Sequence, residues 1–312
     1  MLRSRLAPTP SGYLHLGNAI NFVLTWLLVR RAGGVLKLRI DDADAGRCRP
    51  EFVTDIFRQL DWLGLDWDEG PSGPDEFAAR FSQLQRLEEY RALLAVLAER
   101  GLVFACLCSR RRIRETAGPD GLYPGTCRRR RLSPASAHTI RVRVPPSWSA
   151  GLVAGVPDPE IITVHPAAEL GDFIIWRQDN LPAYQLASLG DDLADRINLV
   201  VRGRDLLPST AAQLFLAAQV GPAGQGFCQA EFLHHPLLTD SRGGKLSKSD
   251  QALSLAAMRQ SGIATGAIYR HAAAFIGLES RDIDSLAELQ AAFKTAWESN
   301  PGPLKPSQPK GE

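Results

Sequence analysis

The sequence predicts an α/β fold built on a mainly parallel sheet, and three observations predict it. Residues 5–18 run from a short apolar, strand-like segment through a Pro/Ser/Gly turn into a helix-patterned stretch, Ala19 to Arg31. Strand-like pieces then alternate with amphipathic helical stretches up to residue 100 and again beyond 171, the pattern of a parallel sheet covered by helices. Charged residues recur where those strands end: Asp41, Asp42 and Asp44 after Val35–Ile40, and Arg202 after Ile197–Val201. Ligands of open α/β sheets gather at the carboxyl ends of strands, so these side chains are expected to share one crevice.

At 312 residues the chain can bury a large core and suggests about two domains. Its 45% apolar and 22% charged residues are those of a soluble globular protein, and a net charge of +2 selects no partner by itself. Five cysteines in a chain this long do not suggest a secreted disulfide framework. No apolar run reaches the roughly 18 residues of a membrane span. The nearest, Ile20 to Val29, is interrupted by Asn21 and Thr25 and reads as a buried helix. Pro8 and Pro10 follow the start before an apolar core develops, which argues against a signal peptide. The expected setting is the cytoplasm, away from membranes, and the expected state a monomer.

A strand, a glycine-containing turn and a helix start form a cradle for phosphate, because unpaired N–H groups and the helix dipole face the anion. His15, Gly17 and Asn18 sit at that helix start. His15 can donate hydrogen bonds, Gly17 leaves room for a base or sugar, and Asn18 can cap and donate. Alone, this is also what a loop histidine beside an Asn cap looks like. Far downstream, Gly244-Lys-Leu-Ser-Lys-Ser249 places Lys245 and Lys248 three apart, able to bring two ammonium groups onto a polyphosphate. Alone, that is a solvated basic turn. Together the two motifs read as a nucleotide site.

Asp41, Asp42 and Asp44 can hold a metal, cap the next helix or receive an ammonium group. Pro50–Leu63 and Phe81–Arg100 carry helical spacing, the first opened by proline and the second stopped at Gly101. The character changes at Cys106. Cys106 and Cys108, with Cys127 nineteen residues further on, supply three thiolates for a zinc ion, and Tyr123 is the nearby fourth ligand, ahead of His138. Three unrelated thiols fit the spacing equally well. Eight arginines flank this segment, Arg110–Arg112, Arg114 and Arg128–Arg131, as a face suited to an RNA backbone or as plain solvated surface. Residues 132–170 have β character at Thr139–Val144 and Glu160–Val164; regular α/β patterning resumes at Gly171. The expected organisation is therefore a first half-domain over 1–101, an insertion over 102–170, a second half over 171–250, and a short helical segment with a polar tail over 251–312.

The two motifs resemble the signature sequences of class I aminoacyl-tRNA synthetases. Most of residues 3–250 resembles the catalytic half of a glutamyl-tRNA synthetase, through RLAPTPSGYLHLGNA, RIDDADAGRCRPEF, LDWLGLDWDEGP, PAYQLA, VRGRDL and GKLSKS. The chain stops about sixty residues after the lysine motif, too soon for the anticodon-binding domain of those enzymes. Its length and Cys-x-Cys, Tyr-x-x-x-Cys pattern resemble the glutamyl-Q tRNA(Asp) synthetases, which activate glutamate and attach it to queuosine in the anticodon loop of tRNA(Asp). The resemblance implies a class I synthetase, Rossmann-like sheet split by an insertion with a zinc knob. It implies a zinc site of Cys106, Cys108, Tyr123 and Cys127, and ATP with Mg²⁺ at His15, Gly17, Asn18, Lys245 and Lys248. It places glutamate against Arg5, Ala7, Thr9, Asp41, Tyr184 and Arg202. Position 41 departs from the family, which has Glu there; glutamine is correspondingly harder to exclude as substrate, though Arg202 argues for glutamate. A ligase for another RNA acceptor and a non-catalytic RNA-binding paralogue are the alternatives.

Overall fold

The computed structural model describes residues 1–133, 137–156, 158–237 and 254–299. Strand β1 (Arg3–Leu6) leads through the proline turn into helix α1 (Leu16–Arg31) and pairs in parallel with β2 (Val35–Leu38), Arg3 opposite Val35 and Leu6 opposite Leu38. Helix α2 (Pro50–Trp62) begins on its proline, as the sequence predicted, because a missing N–H costs nothing at the first helical position. The second predicted helix is broken into parts. A short helix α3 (Pro74–Glu76), a π turn (Phe77–Phe81) and a 3₁₀ turn (Gln83–Arg86) precede α4 (Leu87–Glu99).

The next stretch holds β3 (Val103–Cys106), α5 (Arg110–Thr116), β4 (Thr139–Val142), β5 (Ala150–Ala154), β6 (Glu160–Val164), α6 (Pro166–Glu169) and β7 (Ile174–Trp176). After it come α7 (Tyr184–Ala194), β8 (Leu199–Gly203), α8 (Leu207–Gln219), α9 (Pro222–Cys228), β9 (Glu231–His235), α10 (Leu255–Gln260), α11 (Thr265–Phe275) and α12 (Leu286–Ser299). Strands β8 and β9 pair in parallel, β5 meets β9 in parallel at Ala154 opposite His234, and β6 closes that edge antiparallel. The β1–β2 pair lies alongside β8: Asn198 N–H donates to the Arg3 carbonyl (3.0 Å), and Ser4 Oγ donates to that of Leu199 (2.8 Å).

Sheet pairing does not follow the boundary read at 170/171. Strands β5 and β6 join β9 and β8, whereas β7 joins β3 and β4 in a separate antiparallel sheet. The sequence did not mark β5 as a strand, since it is short and holds Gly151, yet four of its five residues are buried, as in a strand covered on both faces.

Helix α1 is apolar almost all round and is buried almost all round, which requires cover on two sides. The strands supply one side. The other comes from the far end of the chain, where Ile268, Tyr269, Ala272, Ala273, Leu289 and Phe293 of α11 and α12 join the same core. Thr25 sits inside this apolar surface by donating its hydroxyl to the Asn21 carbonyl (2.7 Å). The segment from 254 to 299 is therefore part of the core built on β1, α1 and β2, and α12, which the sequence reading passed over, is one of its walls. Leu289→Ala is expected to cost about 2–5 kcal/mol of stability, measured by urea unfolding; an unchanged midpoint would remove α12 from the core.

Candidate active site and candidate metal centre

Helix α1 opens at the crevice. His15 is its N-cap, with extended backbone, and its N–H donates to Asn18 Oδ1 (3.0 Å) while the Asn18 and Ala19 N–H groups donate to the His15 carbonyl. Asn18 thus fixes the first turn, beside Gly17, with the positive end of the helix dipole at the exposed His15. Two other chain segments end here. Ser254 forms an antiparallel bridge with His15, and Leu255 N–H donates to the Leu14 carbonyl (2.8 Å). At the end of β9, the His235 ring lies 3.2 Å from Asn21 Oδ1. Lys245 and Lys248 lie outside the described residues, but the chain enters and leaves their segment beside the first two turns of α1.

The amino-acid candidates assemble from β1, the turn after β2, α7 and β8. The Asp41 N–H donates to the Pro8 carbonyl (2.9 Å), which sets the turn carrying half-buried Ala7 and exposed Thr9 against the acidic turn. Arg39 clamps Asp41 through Nε (2.6 Å) and a second nitrogen (3.2 Å). Arg5 and Arg202 are both buried. Arg5 Nε donates to Asp192 Oδ1 (3.0 Å). Arg202 donates to Gln213 Oε1 (2.8 Å) and, at 3.5 Å, approaches the Tyr184 hydroxyl. Among the described residues Arg202 meets no carboxylate within ion-pair distance, and its Nε is buried without a partner. Burial, and after it the positive charge of Arg5, lowers its pKa from the ordinary arginine value. A buried guanidinium in this state is a receptor for an anion.

Asp42 and Asp44 take other roles. Asp42 accepts from Ser82 Oγ (2.6 Å) and Gln83 N–H (2.7 Å), bracing the 3₁₀ turn from outside rather than capping the next helix. Burial raises its pKa, against those two hydrogen bonds. Asp44 bonds Arg47 and Arg177, whose attraction outweighs burial and lowers its pKa.

Beneath the site lies a charged layer that motif reading missed. The Asp191 and Asp192 side chains of α7 are wholly buried. Asp192 Oδ1 accepts from Arg5 and, at 2.6 Å, from Arg39. These arginines outweigh the effect of burial and hold the Asp192 carboxyl below its ordinary range; the aspartates in turn keep Arg39 charged despite full burial. Asp191 accepts from Tyr90 (2.7 Å) and Gln83 (2.6 Å) and forms an ion pair with Arg86 (2.8 Å), and burial still pushes its pKa up to about 6. Gly190 makes this packing possible: a Cβ there would come within 2.9 Å of the Tyr90 ring. The available signal was two adjacent acids inside the apolar run Leu186–Leu193, where buried charge demands partners.

The three knob cysteines do come together. Cys106, Cys108 and Cys127 are buried with their sulfurs all within 4.8 Å of one another. Tyr123 joins them: its hydroxyl lies 3.5 Å from Cys106 Sγ and accepts the Cys127 N–H (2.7 Å). Cys127 has its pKa lowered to about 7: burial opposes the thiolate, but the Leu107 N–H, Tyr123 and the neighbouring thiols favour it. His138 is not in the cluster; its N–H donates to the Cys106 carbonyl (3.0 Å). Three soft sulfurs and a phenol oxygen suit a closed zinc site.

The sequence and the fold have parallels among known proteins. The family model for class I tRNA synthetases (E and Q), catalytic domain, matches residues 1–299. The chain belongs to that family. It is 40% identical over 292 residues to a glutamyl-Q tRNA(Asp) synthetase from Nitratidesulfovibrio vulgaris, covering 89% of this chain and 87% of that protein. It is also 40% identical over 295 residues to one from Symbiobacterium thermophilum, with the same coverage. A glutamate–tRNA ligase from an Anaeromyxobacter species is 38% identical over 277 residues, 86% of this chain but 56% of that longer protein. The fold matches a glutamate tRNA ligase from Elizabethkingia meningosepticum, crystallised with its amino acid, with a TM-score of 0.72 at 21% identity, over 98% of this chain and 66% of that one. The class I synthetase fold expected from the motifs is thus the fold observed.

Elemental analysis of purified protein is expected to find about one zinc per chain. Cys127→Ser should lower that ratio and the melting temperature together. Metal-free protein with an unchanged melting temperature would remove zinc from the knob.

Proposed function

We propose that this protein activates L-glutamate with ATP and transfers the glutamyl group to the queuosine base of tRNA(Asp). The observation that carries the amino-acid half is Arg202, a buried cation without a carboxylate among the described residues. A glutamate side chain would complete that ion pair, whereas neutral glutamine would leave the cation uncompensated, at a cost of about 3–5 kcal/mol for a broken buried pair. Tyr184 and Arg5 flank the same acidic group, Asp41 receives the substrate ammonium, and Ala7 and Thr9 line the turn above it. Asp41, one methylene shorter than glutamate, serves because Arg39, itself braced by Asp192, holds it from behind.

In this reading the α1 start, with His15, Gly17 and Asn18, cradles ATP, and Mg²⁺ accompanies the nucleotide. A glutamate carboxylate oxygen attacks the α-phosphorus, the bond to the bridging oxygen breaks, and pyrophosphate leaves. Lys245 and Lys248 would offset the charge that builds on the phosphates. An acceptor hydroxyl then attacks the glutamyl carbonyl carbon and AMP departs. Arg110–Arg112, Arg114 and Arg129–Arg131 are exposed and offer phosphate contacts to the RNA. Support for queuosine as acceptor comes from the relatives named glutamyl-Q tRNA(Asp) synthetase, which this chain matches over most of their length.

ATP–pyrophosphate exchange tests the first half. Glutamate should support exchange without tRNA, and glutamine should not. Exchange that requires tRNA would favour a glutamate–tRNA ligase, and silence with and without tRNA would leave a binding module. Transfer should occur to tRNA(Asp) that contains queuosine and not to the same tRNA lacking it. Lys248→Ala should slow exchange by about 10²–10³-fold in a folded protein; near-normal exchange would remove its phosphate role.

A further inference from the structure

Arg202 is held by a residue that no motif pointed to. Gln213 lies in the second turn of α8, wholly buried, and its Oε1 accepts an Arg202 N–H at 2.8 Å. Because the oxygen faces the guanidinium, the amide nitrogen is turned elsewhere. That Nε2 is buried and has no hydrogen-bond partner, and the same holds for Arg202 Nε. Two buried donors thus go unanswered on two touching side chains, in a structural class where such atoms are uncommon and costly.

Loose packing of the region does not account for this. One turn earlier on α8, Thr210 Oγ1 lies 2.6 Å from His234 Nε2, and His234 Nδ1 lies 2.9 Å from the Val153 carbonyl, so that adjacent buried group is satisfied. His234 stands opposite Arg202 in the β8–β9 register. Burial first, and then the Arg202 charge, bring its pKa down to about 3, so the imidazole adds no competing charge. The donors without partners sit only on the Arg202–Gln213 side of the cluster.

We propose that Gln213 is a second reader of the substrate's side-chain carboxylate. Through Oε1 it orients Arg202, and through Nε2 it donates to the acid, so the substrate meets donors from β8 and from α8. This inference rests on the glutamate reading above and adds a selection rule to it. A carboxylate accepts at both oxygens. A carboxamide must turn its own NH₂ toward either the guanidinium or the Gln213 NH₂, donor against donor. Gln213 would thereby help exclude glutamine, a task the arginine's charge alone performs less completely.

The test is a substitution whose effects on stability and binding differ in sign. Gln213→Glu places a carboxylate on Arg202 from within. The expected result is a melting temperature equal to or above wild type, a KM for glutamate raised about a hundredfold or more, and an unchanged KM for ATP. Gln213→Met removes both polar atoms at similar volume. It should raise the glutamate KM about tenfold, with the ATP KM unchanged, and should narrow the preference for glutamate over glutamine in exchange assays. A purely structural role would instead lower the melting temperature of both variants and leave the KM values and the preference as in wild type. A wild type silent with glutamate overturns both readings. A wild type that exchanges, beside a Gln213→Glu variant with unchanged glutamate KM, overturns the role of Gln213 alone.

Discussion

One carboxylate oxygen organises this crevice. Asp192 Oδ1 accepts from Arg5 on β1 and from Arg39 beyond β2, joining the first turn of the chain to a helix nearly two hundred residues later. Each charge in that layer is unfavourable alone in a buried setting, and each is tolerable because the others are fixed around it. Arg39 then grips Asp41, and α7 also carries Tyr184 toward Arg202. The proposed amino-acid site and sheet assembly therefore draw on the same ion pairs.

This explains what was legible in the sequence. Asp41 and Arg202 could be placed at one crevice because strands deliver their side chains to the carboxyl edge, whatever their partners, whereas Arg5 was placed there only by the family resemblance. Asp191 and Asp192 could not be placed, since their meaning lies in residues far away in the chain. Gln213 is likewise an ordinary polar residue in a helix until Arg202 is found against it. Helix α12 is a different case: Leu289, Phe293 and Trp297 recur at helical spacing, so the signal was present and only its packing partner, α1, was not. At the knob, spacing permitted a cluster and permitted three unrelated thiols; only the turn at Tyr123 and Cys127 separates them.

The insertion is less separate than its composition suggests. Its β5 and β6 extend the sheet of β8 and β9, while β7, from beyond it, completes the antiparallel sheet with β3 and β4. The crossing of these strands ties the arginine-bearing knob to the crevice by backbone hydrogen bonds on both sides. At the junction, Arg128 bonds Asp172 and, at 3.3 Å, the Val144 carbonyl. The exposed arginine surface proposed to meet RNA thus shares a framework with the site where the glutamyl group would be made.

Helix α1 can also be regarded as a lever. Sixteen residues long, it spans about 24 Å. One end meets the proposed nucleotide cradle at His15, and at the other the Arg31 guanidinium stacks 4.6 Å from the Trp297 ring of α12. A rigid rod that tilts by about 3° at one end moves the other by roughly 1 Å, a displacement of the size that costs about a hundredfold in a positioned reaction. Among the described residues, α12 thus packs against the end of that rod remote from His15. Packing around Trp297 therefore bears, through one continuous helix, on the turn fixed by His15 and Asn18.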